Sequence, residues 1–464
     1  MFFFSDLFFA KKPLRVWATH KKTILELSDM GFWREEFSEN EIDFVLEQVR
    51  SSRVRGADGR ISVTTVGDYD GWIAILVSAV GLDVRTDALR TRIVRDVLFS
   101  PDLPLDFSER DFRRTAYFLR NKYQTEELKP YRVAFPIWNM PKFLRGTKQL
   151  GDVTLNFMPS VNTRYFARIE RGRHEQQTSP RFEYFFTKER LNDLRRCSIC
   201  LAHVRANSPA DANERASEAL YETLGLVNLA MDGGKYWRRS FAITGKLPVS
   251  DVLIAPHTTT HFENGQLTHD GFWYENWVGG PNQKSLGTEV WEAWEKRVHQ
   301  LELGISRSPW RDRCKSAAAR YFKAFSNPKL EESFLEGWRL FENISGSRYE
   351  KISDQLLRAS NIFEDNVEYL TIGRHLAIRR NLLAHGHAIK TDDEETLAFQ
   401  MLQFVAPFLE RYILNGFGFK SPDEFWEFLD LPARRGDREA DRVELERRLD
   451  LLEKAARFRK ETAW

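Results

Sequence analysis

Arg374-His375-Leu376-Ala377-Ile378-Arg379-Arg380-Asn381-Leu382-Leu383-Ala384-His385-Gly386-His387 is the stretch on which the C-terminal half of the chain turns. Val367, Leu370, Leu376, Ala377 and Leu383 recur at helical spacing through it, and Gly386 is placed to stop the helix as a left-handed cap. Working outward, the pattern predicts helices over 288–303, 309–326, 328–344, 350–360, 364–385 and 392–414, separated by short polar breaks. Breaks that short make successive helices antiparallel, which predicts an up-and-down bundle over 291–418. Beyond it, Leu445, Leu449, Leu452 and Ala456 keep helical spacing among dense charges. Residues 419–464 therefore read as a charged helical extension that packs on the bundle or on a partner helix.

Upstream the pattern is more mixed. Ser38-Glu39-Asn40-Glu41 precedes Ile42, Phe44, Val45 and Val49, the signature of a capped amphipathic helix. The apolar run Trp72 to Val80 fits a strand or a buried helix equally. Ser108 to Tyr123 reads as a helix with a basic face, and Pro101, Pro104 and Lys129-Pro130-Tyr131 read as punctuation. From 146 to 290, Val153 to Phe157, Phe182 to Phe186 and Val252-Leu253-Ile254 cluster β-formers, with one helix opening at Ser208-Pro209-Ala210-Asp211. The expected architecture is an α+β multidomain chain. A mixed α/β region spans 1–145, an α/β regulatory or sensing domain 146–290, and an all-α bundle follows.

Composition sets limits on function. The chain has 464 residues, 42% hydrophobic and 29% charged, with 35 Phe and 13 Trp, ample for several cores. A formal net charge of +2 supplies no general attraction to nucleic acid, so any RNA contact needs a local basic patch. Three cysteines, Cys197, Cys200 and Cys314, fit a reducing cytoplasm rather than a disulfide framework. The apolar start Met1 to Ala10 is short, contains Asp6 and lacks a basic leader, so neither a membrane span nor a secretory signal is expected. A buried strand or an aromatic docking segment is the reading preferred for it.

Three histidine-bearing patterns compete for chemistry. Cys197-Ser198-Ile199-Cys200 with His203 has zinc-like spacing, but no second pair of ligands follows at the usual distance, and buried thiols are the better reading. His257, His261 and His269, near Glu263 and Asp270, could hold a metal, yet their polar stretch reads as a solvated loop. The neighbouring Phe272, Trp273, Tyr274 and Trp277 read as core closers more than as a base-stacking platform.

The third pattern is Arg380, Asn381 and His385. Spacing alone is not distinctive, because Arg15 and His20 reproduce it and Arg168 and His174 nearly do. Context separates them: neither pair has the Asn, His174 sits in a loop-like stretch, and only 380–385 closes a helix before a glycine. Asn381 and His385 are one turn apart, and Arg380, about 140° away from His385 by helical arithmetic, has the reach to swing to the same mouth. In the last turn the helix dipole favours the imidazolium form of His385. Arg380 offers a planar fork to a phosphate, and Asn381 can orient the imidazole or a ribose hydroxyl. Such groups suit RNA cleavage by the 2′-hydroxyl, in which a base takes that proton and an acid protonates the departing 5′-oxygen, with no metal. One imidazole cannot hold both roles at once, so two copies meeting in a homodimer would supply them. Arg379 and Arg374 add local positive charge for an RNA backbone.

Arg380-Asn381-x-x-x-His385-Gly386 resembles the motif of HEPN ribonucleases. The segments Ala317 to Phe325 and Phe334 to Ile344 resemble the preceding helices of Apea-like HEPN proteins of bacterial anti-phage defence, over about 310–415. The resemblance implies a dimeric, metal-independent endoribonuclease without cofactor, acting on RNA as a toxin or abortive-infection effector. A phage-derived trigger or regulatory partner would act at the N-terminal region. It also implies an acidic residue on the earlier helix, where Glu342 stands, while His387 is an extra histidine without an assigned role. The alternative is a catalytically silent HEPN module that binds a partner or a nucleotide.

Overall fold

A computed structural model describes residues 32–63, 69–157, 164–177, 197–232, 248–273, 288–346, 351–363, 366–384, 391–432 and 434–461. The segments 1–10 and 182–186, Tyr274 and Trp277 lie outside the described residues. The protein is a helix-rich mixed α/β chain that divides into two compact units, 1–127 and 128–464.

The first unit is helical with one small hairpin. Helix α1 (Glu39–Ser52) starts where Ser38 accepts from the Glu41 N–H and the Glu41 carboxylate accepts from the Ser38 N–H at 2.8 Å, a reciprocal cap. Strands β1 (Arg53–Arg55) and β2 (Ile61–Val63) form the hairpin. The ambiguous run resolves as helix α2 (Tyr69–Ala79), and its buried Ile73, Leu76 and Ala79 fall at a spacing of three. Helices α3 (Asp87–Leu98) and α4 (Glu109–Thr125) follow, α4 capped by Ser108 with Asp111. Leu46, Val49, Ile93, Val97, Phe107 and Phe112 close a core of this unit's own.

The second unit opens with strand β3 (Lys129–Trp138), so Lys129-Pro130-Tyr131 starts a strand instead of marking a break. With β4 (Gly146–Leu150), β5 (Val153–Phe157), β6 (Ser198–Ala206), β7 (Leu253–Ile254), β8 (Thr258–Phe262) and β9 (Leu267–Trp273) it builds a seven-stranded antiparallel sheet. The order is β4-β5-β6-β3-β8-β9, with β7 beside the end of β3. The sheet thus draws a strand from the N-terminal side of the expected break at 145.

Pro136 lies in this central strand, where a missing N–H would normally break a ladder. Its carbonyl accepts from the Ala255 N–H at 2.8 Å, and in an antiparallel ladder the N–H of the same residue points the same way. On that side the neighbouring strand is interrupted between Ile254 and Thr258, where His257 takes a left-handed φ of 74°. The absent donor therefore falls at a gap.

Alternation along β3 gives the sheet two covered faces. Val133, Phe135 and Ile137 share a core with helix α6 (Pro209–Asp232), whereas Ala134 packs with Leu201 and with Ile169 of helix α5 (Arg164–Gln177). Helix α6 is buried along most of its length, because the sheet lies on one side and helices on the other. The helices that follow are α7 (Thr288–Arg307), α8 (Arg311–Phe325), α9 (Leu330–Ser345), α10 (Ile352–Ser360), α11 (Asn366–Ala384), α12 (Thr391–Leu414), α13 (Pro422–Asp430) and α14 (Arg435–Phe458), of which α7, α8 and α12 lie against α6. At Gly225, α6 passes so close to α8 that an added Cβ would meet the backbone carbonyl of Ala318.

Sheet and helices consequently share one continuous core, and neither 290 nor 418 ends it. Phe425, Trp426 and Leu429 of α13 are buried in it, and Trp426 donates its indole N–H to the Ile344 carbonyl at 2.9 Å. Buried Arg358 of α10 grips both carboxylate oxygens of Asp430 and the carbonyls of Ser345 and Gly346. Of the two expectations for helix α14, packing on the bundle is not what the structure shows. Ala456 is its one buried side chain among the described residues, and Leu445, Leu449 and Leu452 are exposed. No described helix is long and apolar enough to cross a membrane.

Candidate functional site

Helix α11 is anchored along one side. Tyr369 stacks between Phe363 and Phe404, at centroid distances of 4.1 and 4.2 Å, and its hydroxyl donates to the Phe404 carbonyl. Gly373 lets α10 and α12 close in, since a Cβ there would lie 2.6 Å from Leu356 Cδ2 and 3.0 Å from the Phe404 ring. Leu376, Ala377 and Leu383 continue this buried side.

Val367, which the pattern placed inside, is 69% exposed, and Ile378 and Leu382 are 62% and 39% exposed. By helical arithmetic these three share one outward face with Thr371, Arg374, His375 and Asn381, all exposed as well. Helix α11 is thus apolar on two sides, one of them covered by its own chain. That is a different pattern from the single apolar stripe the sequence suggested.

Arg380 falls in line with the covered side, one turn beyond Leu376, where it is half-buried and reaches back to α9. One terminal nitrogen lies 3.4 Å from Glu342 Oε1, and the other donates to Asn381 Oδ1 at 3.1 Å. The same Glu342 oxygen accepts the indole N–H of Trp338 at 2.7 Å. The structure therefore brings Arg380 and Asn381 of α11 together with Glu342 of α9, 38 residues before Arg380 in sequence. Arg374 stands on the outward face, and Arg379 is half-buried beside Arg380. His385, Gly386 and His387 lie outside the described residues, as does the glycine cap expected there. The described part of the arrangement offers a guanidinium with a carboxylate at its back and a carboxamide at its side, a grouping able to receive a phosphate.

The second histidine pattern is placed differently from its sequence reading. His257 and His261 are fully buried against the sheet face that α5 covers. His261 Nε2 lies 2.8 Å from Thr259 Oγ1 and its Nδ1 3.2 Å from the Gly265 carbonyl, while His257 Nε2 lies 3.3 Å from Gln176 Oε1. Arg173 of α5 enters the same space and donates to the carbonyls of Ala134 and His257 and to Thr259 Oγ1. Burial, reinforced by the Arg173 charge, pushes His257 down to about 2 and His261 down to about 4, so both are neutral. Each ring is satisfied by protein groups. His174, taken for a loop residue, is exposed on α5. Arg173 was not anticipated, although its position one turn after Ile169 on a helix is the signal that places it inward.

The Cys197, Cys200 and His203 pattern fails as a ligand set for a geometric reason. Strand side chains alternate, so residues three apart point to opposite faces. Cys200 faces the α6 core, where burial pushes its thiol well up, and His203 pairs across β3 with Arg132 on the other face. Burial and then the Arg132 charge push His203 down to about 4. Cys314 is also buried, its thiol pushed up to about 11. No group of three or more His, Cys, Asp or Glu side chains among the described residues could hold a metal. The side chains of His269 and Asp270 are not described. No family model, no curated protein and no solved structure matches this chain.

Proposed function

We propose that the chain is a metal-independent endoribonuclease of the HEPN type, acting as an effector in prokaryotic anti-phage defence. The observation that carries this reading is the convergence of Arg380, Asn381 and Glu342 at the end of α11, beside an outward apolar face. Arg380 would hold the scissile phosphate and stabilise the charge that builds on it. Asn381 would orient an imidazole or a ribose hydroxyl. His385, four residues on from Asn381, would act as acid or base. A second copy docked on Val367, Ile378 and Leu382 would cover that exposed face and place two Asn381 side chains near one two-fold axis. Two motifs then supply the base and the acid that one imidazole cannot supply alone.

The test is cleavage of single-stranded or transfer RNA by purified protein in EDTA, with cyclic phosphate ends on the products. His385→Ala should abolish it; cleavage by that variant as fast as by the parent refutes the assignment. A second reading is favoured by the engagement of Arg380 with Glu342 and Asn381, which is also what a bridge between helices would do. In that reading the helices form a silent binding module. Partner or nucleotide binding that survives Arg380→Ala and His385→Ala together, without RNA damage in cells, would support it.

A further inference from the structure

We propose that Trp338 is a positioning residue, whose indole N–H fixes the Glu342 carboxylate and so keeps Arg380 open to a phosphate; this rests on the phosphate-binding role given to Arg380 above. Trp338 is 1% exposed, and a buried indole N–H needs an acceptor. Its acceptor is Glu342, one turn further along α9, at 2.7 Å. The ring cannot swing away. Phe341 packs on it at a centroid distance of 5.5 Å, and the ring is buried on all sides.

The consequence lies in how one oxygen is shared. A carboxylate facing a guanidinium tends to close into a two-pronged pair that occupies a whole edge of the fork. Here Oε1 is tied to the indole and lies 3.4 Å from a single Arg380 nitrogen, with the other terminal nitrogen on Asn381. Asn381 is exposed, and its side-chain amide is a neutral partner that an incoming phosphate oxygen can displace. Trp338 thus holds the carboxylate where it aims Arg380 without capturing it. With the N–H removed, Glu342 is free to turn and close the two-pronged pair.

The test is a double-mutant cycle of Trp338→Phe and Glu342→Gln, read by KM and kcat for RNA and by the Kd of a labelled single-stranded oligoribonucleotide. Trp338→Phe alone should raise KM and Kd about tenfold, the loss of one charge-assisted contact, with kcat changed much less. In the Glu342→Gln background, which has no carboxylate to close on Arg380, the same substitution should change neither by more than about twofold. An equal loss in both backgrounds would mean that the indole acts through packing, and would overturn the proposal; so would no loss in either. Benzothienylalanine incorporated at position 338 keeps the bicyclic shape without the N–H, and decides the matter where Trp338→Phe weakens the fold. If the parent binds but does not cut RNA, the ribonuclease reading falls, while the Kd cycle still decides whether Trp338 positions Arg380.

Discussion

Gly225→Ala is the substitution that most directly tests whether the sheet and the helical bundle form one body. In α6, a Cβ at this position would lie 2.7 Å from the carbonyl carbon of Ala318 in α8 and 3.4 Å from its Cα, with the carbonyl oxygen closer still. Ordinary contact begins near 3.4 Å, and the obstacle is backbone, which cannot rotate out of the way. The two helices must separate by about 1 Å, and the side chains beside the crossing, Tyr221 stacked on Phe322 at 5.4 Å among them, lose their fit. Overpacking of this kind costs about 3 kcal/mol, at the upper end of the usual range, because there is no side chain to yield. Alanine's better helix propensity offsets at most about 1 kcal/mol of it. Urea unfolding of parent and variant, followed by tryptophan fluorescence, measures the difference. A Gly225→Ala protein within about 0.5 kcal/mol of the parent would show that α6 and α8 do not cross at this distance.

Two further outcomes are expected. The neutral, buried His257 and His261 have folded-state values of about 2 and about 4 against an unfolded value near 6.5, so the unfolded chain binds more protons and stability is lost as pH falls below about 6.5. Between pH 7 and 5 each should contribute a loss of about 2 kcal/mol; the check is unfolding at both values for the parent and His261→Gln, and an unchanged pH dependence in the variant would contradict it. Arg358→Met leaves the buried Ser345 and Gly346 carbonyls without a donor and takes the partner from Asp430, which stays open to water, so it should cost about 2 kcal/mol, read by the same urea titration, with a loss below about 0.5 kcal/mol counting against the bridge.

The fold was most legible where its causes are local. Helices α7 to α12 fall close to their expected spans, because caps, breaks and a 3.6-residue period are written within each segment. The capping box at Ser38 is visible in four letters. Strand β3 was missed because Lys129-Pro130-Tyr131 was read as a break. What admits Pro136 is the gap at Ala255 to His257, more than a hundred residues away, which no local pattern can show. The continuity of the core was hidden for the same reason. A glycine inside α6 costs helix stability, and only the passing backbone of α8 explains it.

The site was legible by residue and not by contact. Arg380 and Asn381 stood out from a helix end and Glu342 was expected only through the resemblance, but the contact of Glu342 with Arg380 and with the Trp338 indole joins residues that no local pattern relates. Helical phase was also misjudged. Val367 was grouped with Leu376 and Leu383, but it falls on the opposite side of the helix and is exposed, because a helix with apolar residues all round can bury only the side its own chain covers. The remaining side, with Ile378, Leu382 and Asn381, is a face whose burial would be favourable and whose partner must tolerate Arg374 and His375. In the proposed dimer a second copy would meet that condition, with the two cations offset across a two-fold axis and RNA phosphates between them. Two such faces would then bind substrate and each other by the same contacts, so RNA and self-association should each strengthen the other.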